Sequence, residues 1–163
     1  GSGTTMAACI AEDNKIYWAS VGDSRIYIIR GNQMQQVTRD HNYRLHLQEL
    51  VLTGQISEEE ADAMRQKEAL ISYLGMGNVS LMDINSQPFE MQYGDVVMLC
   101  SDGITKTLTD EQIKKIITAA AVKPEQKAKA LVDAATHINS HSQDNTTVAL
   151  IHYQERDIKE IHR

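Results

Sequence analysis

The sequence predicts an α+β fold. Short β-rich runs crowd the first forty residues, two capped helical segments come late, and a β-branched run closes the pattern. Strands and helices that cluster rather than alternate argue for antiparallel sheets, not for a repeated βαβ unit.

MAACIAE and KIYWASV are apolar-rich runs separated by Asp13-Asn14, a hairpin signal. RIYIIR and QMQQVT follow around Gly31-Asn32, a second tight turn. These four strands are expected to form one antiparallel meander. Between the second and third lies Val21-Gly22-Asp23-Ser24-Arg25, a break that leaves an acidic residue at a strand end.

From Asn42 the period changes. Tyr43, Leu47, Leu50 and Val51 fall on one helical face, and Gly54 stops the helix. Ser57 and Glu60 have capping-box spacing, opening a helix through EEEADAMRQKE with acids first and bases later. ALISYLGMGN, with two glycines, reads as a loop back to the sheet, so residues 42–78 form a flap-like insertion. SLMDI, PFEMQ and VVMLC restore strand character, with Tyr93-Gly94-Asp95 as a turn. Thr109 and Gln112 cap the helix TDEQIKKIITAAA, Pro124 opens a second through EQKAKALVDAATHIN, and TTVALIHY is the last strand.

Composition narrows the function. A chain of 163 residues without repeats or linkers predicts a single domain over 1–163. Its net charge of −6 argues against a nucleic-acid partner. No apolar run approaches the ~20 residues that span a bilayer, and no basic segment followed by an apolar stretch marks a secretory signal. Cys9 and Cys100 sit inside apolar runs without metal-type spacing, as expected of buried thiols in a reducing cytoplasm.

Three aspartates share a context. Asp23 follows IYWASVG, Asp102 follows VVMLCS, and Asp144 precedes TTVALI. Singly, each is an ordinary turn residue. Together at one rim they would repel, by about 4 kcal/mol for a pair ~4 Å apart at an effective dielectric of ~20, unless a cation intervenes. Oxygen donors without Cys or His select Mg²⁺ or Mn²⁺ over Zn²⁺.

In order, Gly3-Thr4-Thr5, Val21-Gly22-Asp23-Ser24-Arg25, Thr38-Arg39-Asp40-His41, Leu74-Gly75, Gly94-Asp95, Cys100-Ser101-Asp102-Gly103 and Asp144-Asn145-Thr146-Thr147 resemble the later motifs of the metal-dependent protein phosphatases (type 2C). LQELVLTGQISEEEA resembles the flap of the bacterial branch. The resemblance runs from Gly3 to about Tyr153. It implies a four-layer α-β-β-α sandwich, with Asp102 and Asp144 as ligands of a binuclear Mn²⁺ or Mg²⁺ centre. Asp23 would hold a third, weaker ion shared with Asp102. The implied activity is hydrolysis of phosphoserine or phosphothreonine in protein substrates by a metal-activated water, without a covalent phosphoenzyme.

The chain also departs from that pattern. The family's phosphate-holding arginine and its Asp-Gly-x-Gly-Gly element have no counterpart here, and Arg25, Arg30 and Arg39 do not stand in the arginine's place. The chain is therefore expected to be an N-terminally truncated, C-terminal portion of the catalytic domain, inactive alone. Open sheet edges would then favour dimers or strand exchange. The other reading is a phosphatase-like binding or partner-switching module without turnover.

Remaining features have plainer readings. His137 and His141 suit a helix end more than a zinc site, and His41 is not assigned as a catalytic acid. Glu58-Glu59-Glu60 is a solvated helix start, and Ser24 and Ser101 lack a histidine partner at readable spacing.

Overall fold

The computed structural model describes residues 2–138 and 144–154. His141 lies outside the described residues. Two antiparallel sheets lie face to face. Strands β1 (Met6–Glu12) and β2 (Lys15–Val21) form a hairpin, extended by the short β5 (Asp83–Ile84) and β6 (Phe89–Glu90). The second sheet has the order β4-β3-β7-β8, from β3 (Arg25–Arg30), β4 (Gln33–Gln36), β7 (Val96–Cys100) and β8 (Val148–His152).

The expected single meander is not formed. Its four strands divide into two hairpins that belong to different sheets, and the chain crosses between them at Gly22-Asp23-Ser24. Both hairpin turns are as the sequence signals. Asp13 has φ 53°, and Glu12 pairs with Lys15, leaving a two-residue loop whose positive φ suits the strand twist. Arg30 pairs with Gln33 around Gly31 and Asn32 in the same way.

Strand alternation sorts the core into two clusters. Ile26 and Ile28 of β3 and Val97 of β7 face the first sheet, where Ile16, Trp18, Cys9 and Phe89 meet them. Tyr27, Ile29, Val96, Met98 and Cys100 face the other way, onto helices. Those helices are the single turn α3 (Asp102–Thr105), α4 (Asp110–Thr118) and α5 (Pro124–Ile138), which insert Ile104, Ile113, Ile117, Leu131 and Ala135. The described residues thus build three layers: helices, sheet, sheet. Neither core cluster includes the outer face of β1 and β2, where Ile10 is 70% exposed.

Cys9 and Cys100 are free and lie in different clusters. Burial pushes their thiols up to about 11 and about 12 respectively, as for inert core residues.

The excursion after β4 holds α1 (Tyr43–Leu52) and α2 (Glu58–Ala63). Ser57 and Glu60 form both arms of the capping box, at 2.8 and 3.1 Å. The helix is shorter than the sequence predicts, ending at Ala63 rather than running through Glu68. Its expected last turn is used elsewhere: Tyr43 and Arg44 donate their N–H groups to the carbonyls of Ala69 and Lys67, and Ile71 donates to His41. Those contacts tie the excursion's two ends to the strand exit.

Candidate metal centre

Strand register decides which residues share a rim. In β3, Arg25 pairs with Cys100 of β7, and Cys100 pairs in turn with Val148 of β8. Asp23 precedes Arg25, Asp102 follows Cys100, and Asp144 precedes Val148, so all three lie beyond one end of the second sheet.

The Asp23 turn is held by residues from three of the quoted motifs. Gly22 has φ +103°, and a Cβ there would fall 2.7 Å from the Thr5 Cβ. Only glycine takes that backbone and lets Thr5 pack so closely. The Thr5 and Ser24 hydroxyls meet at 2.8 Å. His41, fully buried, accepts the Gly22 N–H at Nδ1 (3.1 Å) and donates its own N–H to the Gly22 carbonyl (2.9 Å). Its Nε2 lies 3.6 Å from Asp83 Oδ1. His41 therefore positions the turn rather than facing the cleft. Arg25 grips Asp40 through two nitrogens, Nε at 2.9 Å and Nη2 at 2.6 Å, which braces the start of β3.

Asp102 opens α3 directly after the strand. The Asp144-Asn145-Thr146-Thr147 segment is strapped to this turn. Ser101 donates its N–H to the Thr147 carbonyl (3.0 Å) and its Oγ to the Asn145 carbonyl (3.2 Å), and the Thr147 N–H returns to Ser101 Oγ (2.9 Å). A Cβ on Gly103 would sit 2.7 Å from the Asn145 carbonyl oxygen, so glycine permits the approach. The Asn145 N–H donates to Asp144 Oδ1 at 2.8 Å.

Asp23 and Asp102 line one cleft of about 440 Å³, together with Arg25, Asp40, Asn42 and Lys106. Burial raises the Asp23 carboxyl above the usual carboxylate range, and the Asp102 charge raises it further. Lys106 opposes that shift, and its Nζ donates to Asp102 Oδ2 at 2.5 Å. Asp144 does not line the cleft, but its charge reaches Lys106.

The donor chemistry fits a hard divalent ion, since the carboxylates that line the cleft offer only oxygen. Asp23, Asp102 and Asp144 are the residues that would hold it. Among the described residues no three acidic, His or Cys side chains form a group able to hold a metal, so the shell they offer is partial.

Of the residues at this rim, the sequence singles out the three aspartates but not Lys106, which lines the cleft beside Asp23 and Asp102. The available signal was its place four residues after Asp102, where a helical turn brings a base to an acid. His137 is exposed and bonds the Asp133 carbonyl through Nδ1 at 2.6 Å, as a helix-end residue does. No described helix is long and apolar enough to cross a membrane.

Two family models match in succession: Protein phosphatase 2C over residues 1–46, and Stage II sporulation protein E (SpoIIE) over 46–154. The protein phosphatase PhpP of Streptococcus pneumoniae is 35% identical over 157 residues, covering 96% of this chain and 61% of its own length. The serine/threonine phosphatase stp of Listeria monocytogenes is 35% identical over 159 residues, 97% of this chain and 58% of its own. The chain thus spans about three fifths of these relatives. Among solved structures, the S. agalactiae serine/threonine phosphatase superposes with TM-score 0.78 at 33% identity, covering 93% of this chain and 60% of that one. The catalytic domain of PstP, solved in complex with two manganese ions, gives 0.67 at 29% identity, covering 91% and 57%. Two adjoining family models, the curated relatives and the solved structures agree: the chain belongs to the type 2C, metal-dependent protein phosphatase family.

Proposed function

We propose that this chain forms part of the catalytic domain of a Mg²⁺- or Mn²⁺-dependent protein serine/threonine phosphatase, acting on phosphoserine and phosphothreonine in protein substrates. The observation that carries this reading is the meeting of Asp23 and Asp102 in one cleft, from strand ends of different sheets. Asp102 and Asp144 would hold the catalytic ions and Asp23 a weaker one. A bound ion of this class supplies a water acidic enough to attack a phosphate ester at neutral pH.

The chain's own residues do the placing. Gly22, Thr5 and His41 fix the backbone from which Asp23 projects, and Ser101 with Gly103 holds the Asp144 segment against Asp102. The partial shell supports a further point: residues 1–163 by themselves bind the ion weakly and turn over little. Two unpaired thiols suit a cytoplasmic setting.

Mn²⁺-dependent hydrolysis of a phosphopeptide by the protein in its natural length tests the reading. Asp102→Asn and Asp144→Asn are each expected to lower kcat by about 10²-fold or more, the scale of losing a principal charge-stabilising group. Equal rates in wild type and both variants would remove these aspartates from the mechanism. Specific binding of a phosphoprotein with no turnover at any Mn²⁺ concentration would favour a binding module instead.

A further inference from the structure

We propose that Lys106 is a tethered competitor of the divalent ion: it holds the Asp102 carboxylate and thereby sets how tightly the metal centre binds. This inference rests on the metal-centre reading above.

Three cations line the cleft, namely Arg25, Arg44 and Lys106. Arg25 is committed to Asp40 through two nitrogens. Arg44 pairs with Asp62 at 3.2 Å and Glu68 at 2.7 Å. Lys106 alone of the three pairs with one of the proposed ligands, its Nζ on Asp102 Oδ2.

Local backbone geometry makes that pairing easy. Asp102 opens α3 and Lys106 caps it, with the Lys106 N–H donating to the Asp102 carbonyl at 2.8 Å. Acid first and base four residues later is the favoured order on a helical turn.

An ammonium has three donors and no lone pair, so it cannot join a metal shell. An ion that takes Asp102 Oδ2 must therefore displace Nζ. The Lys106 side chain is 52% exposed, and its flexible stem can swing into water when displaced. The competition costs affinity and gives the two clustered carboxylates a fixed countercharge.

Calorimetric titration of Mn²⁺ into the protein in its natural length tests this, with Mn²⁺ electron paramagnetic resonance as a second readout. Asp102→Asn first identifies the binding step that needs Asp102. In Lys106→Met and Lys106→Gln that step is expected to tighten about three- to tenfold, the scale of releasing a partly exposed ion pair and removing a nearby like charge. Lys106→Arg keeps the charge and is expected to stay within about twofold of wild type. Salt should narrow the gap between Lys106→Met and wild type. Melting in EDTA and in Mn²⁺ separates folding from affinity, since a competitor's removal enlarges the Mn²⁺-induced rise in Tm and a folding defect lowers both values. Unchanged or weaker Mn²⁺ binding in both neutral variants, with the Asp102-dependent step intact, would overturn the proposal and leave the metal centre standing. Absence of any Asp102-dependent step in wild type would overturn both.

Discussion

The two sheets differ in how they are covered, and the difference bears on the site they share. The β4-β3-β7-β8 sheet has apolar residues on both faces and cover on both, the first sheet on one side and α3, α4 and α5 on the other. Its β7 accordingly reads VVMLC, an unbroken apolar run. In the β1-β2 sheet the described residues pack mainly the inner face: on the outer face Val21 is buried at the strand end, but Ile10 and Ile84 are 70% and 64% exposed. Asp102 projects from the doubly covered sheet, whereas Asp23 leaves the end of β2 in the singly covered one. One side of the cleft is therefore anchored in a dry core and the other in a thinner support.

Ile104→Ala is the strongest test of that contrast. Ile104 is fully buried behind Asp102, in the cluster between sheet and helices. Its truncation is expected to cost about 2–5 kcal/mol in denaturant unfolding, and a loss below about 1 kcal/mol would mean that this layer is loosely packed.

Asp95→Asn comes next. Asp95 is buried before β7 and accepts hydrogen bonds from Arg30 Nε (2.9 Å), Arg30 Nη2 (2.7 Å) and the Gln92 N–H (2.8 Å). Loss of the carboxylate charge is expected to cost about 1–3 kcal/mol at neutral pH. These bonds hold its carboxyl below the usual carboxylate range of 3.8, against burial. A depressed folded pKa gives stability that is present above the unfolded value and lost as pH falls through the folded one. The difference between wild type and variant should thus be constant above about pH 5 and shrink below about pH 4. A difference that grows on acidification would contradict the assignment.

Ile10→Ala sets the lower end of the scale. The residue type is the same as at Ile104 and the strand is regular, yet the expected change is within about 0.5 kcal/mol. A cost comparable to Ile104→Ala would show that the outer face is covered and would erase the contrast between the sheets.

What the sequence disclosed follows from how local each signal is. The hairpins at Asp13-Asn14 and Gly31-Asn32, the caps at Ser57 and Thr109, and Pro124 at the start of α5 are all formed as read, since each is decided within a few residues. Assignment of the first four strands to two sheets was not legible. It depends on β3 pairing with β7, some seventy residues away, and Gly22-Asp23-Ser24 shows in the sequence only as a break. The same dependence governs the site. Asp23, Asp102 and Asp144 each read as strand-end residues, and the registers Arg25–Cys100 and Cys100–Val148 supply their common rim. Lys106 escaped notice because an exposed lysine on a short helix carries no sequence mark until its acidic neighbour is seen in space.

The crossing at Gly22-Asp23-Ser24 has a mechanical consequence. Three residues give almost no slack between β2 and β3, so relative slippage of the sheets must be absorbed there, at the backbone of Asp23 itself. Asp102 instead follows β7, in the other sheet. The spacing of the carboxylates therefore acts as a gauge of how the sandwich is seated, and a misfit deep between the sheets, at Trp18 or Val97, would be read out at the rim.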